Sequence, residues 1–249
     1  MIPIRDTIPS RIPPIGTWMI IIANAVVFFF ELSLGSQRLE QLLQTWGVVP
    51  VQLDAALRAP NLAGFLPIFT GMFLHSGWLH IGFNMWTLWI FGDNVEDRMG
   101  HVRFLVFYFV CGIASAIFHS LLNAGSTLPA VGASGAIAGV LGAYLFLFPR
   151  ARVIVLVLLI FIPYFLQVPA VFFLGIWFLV QLFSGALSIG LATTGGVAWW
   201  AHVGGFGAGV LLHRLFVVQR RPMTPDEYGI EGAWGGKRRG PFRSDDGRA

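Results

Sequence analysis

Charge is scarce in this chain. Only 11% of its residues are Asp, Glu, Lys or Arg, against 56% that are hydrophobic. A soluble domain carries about 25% charged residues, so the composition excludes an ordinary soluble globule and points to lipid. Cysteine is scarcer still. The single one, Cys111, excludes an intramolecular disulfide, and its place inside an apolar run reads as a buried thiol. No His-Glu-x-x-His pair occurs among the six histidines, so neither a metal nor any other cofactor is expected. Asp93 has no second membrane carboxylate to work with, which argues against an intramembrane aspartyl mechanism. No cleavable signal peptide is expected either. Residues 1–14 carry Arg5, Asp6, Arg11 and four prolines, with no small-residue cleavage site behind an apolar core. They read as a cytoplasmic tail before a retained first helix.

Long apolar runs are present. Spanning a hydrocarbon core takes about 20 helical residues, and six runs qualify or nearly so: 15–34, 77–92, 102–122, 132–149, 169–190 and 197–216. The expected fold class is an all-α membrane protein, a six-helix bundle over 15–216. From 217 onward Gly, Pro and charge dominate, and the tail reads as disordered and basic. A pI near 9.8 does not imply nucleic acid. With the N-terminus in the cytoplasm, only Arg38 and Arg58 fall in outer loops, and every other basic residue falls inside. This is the positive-inside pattern. Both termini are then cytoplasmic, and the chain is a multi-pass protein of the cell membrane.

Two segments resist this scheme. A continuous helix from Leu62 to Gly92 would be roughly 46 Å long, too long for a core of about 30 Å. Gly64, Pro67 and Gly71 interrupt it. The first outer loop, 35–76, is therefore expected to be partly embedded against the bundle. Val153–Ile162 is too short to span, and Pro163 and Pro169 follow. It is expected to lie along the inner interface.

Polar residues inside the runs carry the chemistry. Gly132-Ala133-Ser134-Gly135 opens the fourth run and Ala201-His202-Val203-Gly204-Gly205 the sixth. His80 and Asn84, one helical turn apart, share a face of the second. In the six-span scheme the second, fourth and sixth runs all start at the outer face, so these four side chains converge at one depth. Serine beside a neutral histidine is a nucleophile beside its base. Asn84, a ring N–H of His80 and the backbone N–H of Ser134 can donate to an oxyanion. No carboxylate lies nearby, so a dyad is expected rather than a triad. Gly135-xxx-Gly139 and Gly205-xxx-Gly209 allow the close helix approach that a Ser–His bond requires. Singly, each residue has a plainer reading. A membrane serine is usually packing glue, and a membrane histidine can serve a proton relay or line a pore. His75 reads as ordering the long loop, and His101, His119 and His213 carry no assigned chemistry.

These motifs, in this order, resemble the rhomboid intramembrane serine proteases over roughly 15–216. They are His80-xxx-Asn84, Gly132-Ala133-Ser134-Gly135 and Ala201-His202-Val203-Gly204-Gly205-Phe206-Gly207-Ala208-Gly209. The segment Phe91–Gly100 also resembles the family's second loop, with Glu96 at its acidic position. The resemblance implies a Ser134–His202 dyad and an oxyanion hole formed with His80 and Asn84. It implies transmembrane segments of membrane proteins as substrates, entering laterally near the second and fifth spans and cut near their outer end. The loop 191–200 would cap the cavity. Phe83, Trp199 and Trp200 are the candidate substrate-binding residues. One position departs from the family. The aromatic found four residues after the serine in well-known members is Ala138 here, so the orientation of His202 must come from elsewhere.

Two other functions compete with proteolysis. A catalytically silent scaffold that binds client helices would typically lack the serine or the histidine, and both are present. A transporter would show inverted repeats and midplane charges, and neither is seen.

Overall fold

The computed structural model describes residues 2–59, 61–159, 162–188 and 197–218. The tail beyond 218 and most of the segment expected to cap the cavity, 191–196, lie outside the described residues. In chain order the elements are β1 (Ile2–Asp6), α1 (Ile15–Leu32), α2 (Ser36–Trp46), α3 (Pro50–Arg58), α4 (Leu66–Thr70), α5 (Trp78–Met99), α6 (His101–Leu122), α7 (Ser134–Leu147), β2 (Arg152–Leu159), β3 (Ile162–Pro169), α8 (Ala170–Ser188) and α9 (Trp199–Phe216). The six apolar runs become α1, α5, α6, α7, α8 and α9. Among the described residues three of these, α1, α6 and α8, are long and apolar enough to cross a membrane, and α5 counts as a fourth only if taken as one span with Leu62–Phe73 across their bend.

α7 and α9 sit back to back. A side chain at Gly205 would collide with the Gly135 carbonyl, and one at Gly209 with the Gly139 carbonyl. Glycine is required at both positions because the two backbones touch. The main core fills the space around this pair with Leu88, Phe91, Phe104, Phe107, Tyr108 and Tyr144.

The first outer loop folds as short helices. Val48, Leu53, Ile68 and Met72 bury themselves against Ala116 of α6. Leu62–Phe73 meets α5 at an angle of 81°, so the long rod is broken as expected. The break falls at Leu74–Gly77, beyond the three interrupting residues, because Pro67 occupies the first turn of α4, where proline is tolerated.

Two expectations are corrected. The fold is mostly helical but not all-α, because β1, β2 and β3 form an antiparallel sheet with β2 central. Val153–Leu159 is rich in β-branched residues, and alternate residues Val153 and Val155 are fully buried. Pro163 sits in β3, an edge strand that can lack a donor. The N-terminal segment supplies the third strand. Asp6 at its end accepts from Asn94 Nδ2 at 2.9 Å and from the Tyr144 hydroxyl, and burial pushes its carboxyl up to about 7.

The second correction concerns Phe91–Gly100, which is not a loop. It continues α5 to Met99, and Gly100, at φ 75°, ends the helix in the left-handed region that suits glycine. The reason is polar. Glu96 is fully buried, and its carboxylate accepts from the N–H groups of Gly16 and Thr17, both at 2.7 Å, and from the Thr17 hydroxyl at 2.8 Å. It thereby caps the first turn of α1, whose own N-cap residue, Pro14, offers no side-chain bond. Glu96→Ala should therefore lower stability by about 3 kcal/mol, the scale of a buried charge-assisted bond replaced by unsatisfied donors. Thermal unfolding in detergent would measure it. A shift no larger than that of a surface variant would remove Glu96 from this role.

Candidate active site

The start of α7 is shaped by a strand-like approach. Val48 and Ala130 exchange backbone bonds at 2.9 and 2.8 Å, and the Gly132 N–H donates to the Gly71 carbonyl at 2.8 Å. The first outer loop thus fixes the segment that leads into the helix. Gly132 has φ 119°, and a Cβ there would lie 2.6 Å from His80 Nε2. Both the backbone conformation and the close approach require glycine. Ser134 follows as the first residue of α7. Its N–H belongs to a first turn with no intrahelical acceptor, at the positive end of the helix dipole.

His202, in the first turn of α9, meets it. His202 Nε2 lies 2.8 Å from Ser134 Oγ. Ser115 Oγ, on α6, donates to the Ala201 carbonyl at 2.8 Å and ties this turn to its neighbour. His202 is 9% exposed. The Trp177 ring lies 5.9 Å from the imidazole centroid and tilts 35° to it, and Trp199 stands edge-on at 6.5 Å.

His80 and Asn84 face the same spot from α5. The Ser76 N–H donates to His80 Nδ1 at 3.4 Å, and the Ser76 hydroxyl lies 3.1 Å from that nitrogen. Nδ1 is therefore the acceptor, and a neutral ring carries its proton on Nε2, the atom that borders Gly132. Asn84 is buried and donates from Nδ2 to His75 Nε2 at 3.0 Å. A Cβ at Gly132 would lie 3.5 Å from this same amide nitrogen. The four polar residues picked from the sequence therefore gather around one glycine-lined point.

The three candidate substrate contacts do not gather there. Phe83 is exposed on α5. Trp199 reaches His202 only by its edge. The Trp200 ring packs against Phe118 and Gly185. The cavity at Ser134 is lined instead by residues such as Met72, Ser115, Ala116, His119, Gly132 and Ala201.

Two further residues, His75 and Gln181, belong to the site and were not among those picked from the sequence. His75 does more than order the loop. Its N–H donates to the Glu31 carboxylate at 3.0 Å, and its ring receives Asn84. Gln181 of α8 lies beside His202, with Oε1 2.7 Å from Nδ1. A signal for Gln181 existed. α8 buries Ala170, Leu174, Gln181 and Gly185, so an amide sits on the inward stripe of an otherwise apolar helix, where polar groups need partners.

A family model for the rhomboid domain matches residues 63–219, which contain His75, His80, Asn84, Ser134, Gln181 and His202 and none of the first helix. The chain belongs to the rhomboid family. Curated rhomboid proteins agree with this. The mitochondrial rhomboid protein 1 of Saccharomyces cerevisiae is 29% identical over 208 residues, covering 81% of this chain and 56% of that protein. A rhomboid protease of Bacillus subtilis is 34% identical over 134 residues, covering 53% and 24%. RHOMBOID-like protein 4 of Arabidopsis thaliana is 30% identical over 174 residues, covering 68% and 36%. The chain spans about half or less of the length of these relatives. Rhomboid proteins are generally intramembrane serine proteases, and this chain is a multi-pass membrane protein of that family.

Proposed function

We propose that this rhomboid is an active intramembrane serine endopeptidase that cleaves transmembrane segments near their outer end. The observation that carries the reading is the 2.8 Å approach of His202 Nε2 to Ser134 Oγ. In the first step the Ser134 hydroxyl attacks the scissile carbonyl carbon while its proton passes to Nε2. The carbonyl oxygen becomes an oxyanion, held by His80 Nε2–H, Asn84 Nδ2–H and the Ser134 N–H. The C–N bond then breaks, and the leaving amine takes the proton from His202. Water attacks the acyl-enzyme by the same route and releases the new carboxylate. A scaffold without activity would have no use for this juxtaposition.

The proposed setting is a bundle of six spans, with both termini on the positive inner side and the dyad open to the outer face. α7 is 14 residues long, roughly 21 Å, so it cannot cross a core of about 30 Å unaided. Ser134 at its outer end would lie below the membrane surface, at the depth of a substrate's last helical turns. Phe83, exposed on α5, would meet the entering helix, and Trp199, edge-on to His202, would border the site at the start of α9. The partners are membrane proteins and the bilayer, with no cofactor.

The direct test is the purified protein with a single-pass model substrate and a fluorophosphonate probe. Cleavage together with labelling confined to Ser134 is expected. Neither cleavage nor labelling in a folded preparation would overturn the reading.

Substrate choice should follow the cavity. Its glycine and alanine lining suits a small residue at the cut, and only an unwound stretch exposes its carbonyl to Ser134. Changing a small residue at the cut to Phe should slow cleavage roughly 10–100-fold, the scale of overpacking a closed site at about 1–3 kcal/mol. Replacing a nearby Gly or Pro with Leu should also slow it, because the helix then resists unwinding. Equal rates across such a series would show that neither pocket size nor helix stability governs selection.

A further inference from the structure

The imidazole of a serine–histidine pair is a base only in one tautomer. Nε2 must be free of its proton to receive the one from serine. An isolated dyad leaves that choice open, and the family's aromatic partner is Ala138 here. Gln181 closes the question. The residue is 5% exposed. Its Nε2 lies 3.3 Å from the Trp177 carbonyl oxygen, and its Oε1 lies 2.7 Å from His202 Nδ1. A carbonyl oxygen can only accept, so the amide nitrogen faces it and the amide oxygen faces the imidazole. Nδ1 must then carry the ring proton. A neutral ring has one N–H, so Nε2 presents a lone pair to the Ser134 hydroxyl.

We propose that Gln181 is the positioning residue of this protease, fixing the tautomer and rotation of His202 from a third helix. The inference rests on the reading of Ser134 and His202 as the catalytic pair. The chemistry favours an amide at this place. A carboxylate would orient the ring equally well but would leave a buried charge among apolar helices whenever the histidine is neutral. The amide orients the ring at no such cost, and its carbonyl dipole points at Nδ1–H when the imidazolium forms. Trp177, one turn before Gln181, holds both ends of the arrangement. Its carbonyl fixes the amide, and its ring lies against the imidazole.

The test compares wild type, Gln181→Met, Gln181→Glu and Ser134→Ala as purified full chains, with kcat, KM and Tm measured on one single-pass substrate. Methionine keeps the length and loses the acceptor. Gln181→Met should lower kcat on the order of 10–100-fold, within the range of general-base contributions, with KM and Tm near wild type. Gln181→Glu, which keeps an oxygen at Nδ1, should recover most of that loss. A wild-type kcat in Gln181→Met, or a change confined to KM, would overturn the inference while the inactivity of Ser134→Ala left the dyad standing. Activity in Ser134→Ala would overturn the dyad itself. Nitrogen-15 resonances of His202 in the wild-type protein give an answer that needs no variant. Protonated Nδ1 is expected, and protonated Nε2 would overturn the assignment.

Discussion

Replacing either Ser134 or His202 with alanine should remove proteolysis to the background of the assay, a loss on the order of 10⁴–10⁶ in kcat by comparison with other serine–histidine enzymes. The double variant should be no slower than either single one. Both residues serve one event, the transfer of the Oγ proton to Nε2 as the carbon–oxygen bond forms. Removing either partner removes the whole event, so the two losses do not add. Stability should behave differently. Ser134 is the first residue of α7 and is partly exposed, whereas His202 is buried and bonded through both ring nitrogens. Ser134→Ala should leave Tm near wild type. His202→Ala should lower it, because Gln181 loses its partner in a buried setting. Cleavage rates and thermal unfolding of the three variants measure both parts. Multiplicative losses in the double variant would mean that the two residues act in separate steps.

The site was more legible than the scaffold around it. Ser134, His202, His80 and Asn84 stand out because each is polar at the start of an apolar run, and helix starts on one side share a depth. The glycines near them were legible for the same reason, since small residues at helical spacing mark where backbones can touch. Gln181 was not legible in this way. Helical phase alone does not say which neighbour an inward residue meets, and α8 could have turned that amide toward several helices. β2 and β3 were hidden by a different ambiguity. A run of about ten aliphatic residues is equally a buried strand or an interfacial segment by period. What decided it was the N-terminal segment, distant in sequence, arriving as β1 to pair Ile2 with Leu156 and Asp6 with Val153. The tertiary role of Glu96 was hidden likewise. Its carboxylate reads as the acidic residue of a loop until the bare N-terminus of α1 is placed against it.

The oxyanion hole carries the second largest expected effect. Asn84→Ala should lower kcat about 10²–10³-fold, or roughly 3–4 kcal/mol, the usual cost of losing one such donor. KM should change little, because the bond strengthens only as negative charge gathers on the carbonyl oxygen. The geometry gives this prediction a second arm. Asn84 Nδ2 has two hydrogens, and one is donated to His75 Nε2. That nitrogen is free to accept because His75 Nδ1 carries the ring proton and donates it in a hydrogen bond to the Phe73 carbonyl at 3.2 Å. The His75 bond therefore turns the amide so that its second hydrogen borders Gly132. His75→Ala should leave the donor present but unaimed, and should lower kcat by less than Asn84→Ala does. The double variant should match Asn84→Ala alone, since an aiming residue has nothing left to aim. Kinetics of the three variants on one substrate, with Tm as a check on folding, decide the matter. A loss confined to KM in Asn84→Ala would place the amide in substrate binding, and additive losses in the double variant would give His75 a role of its own.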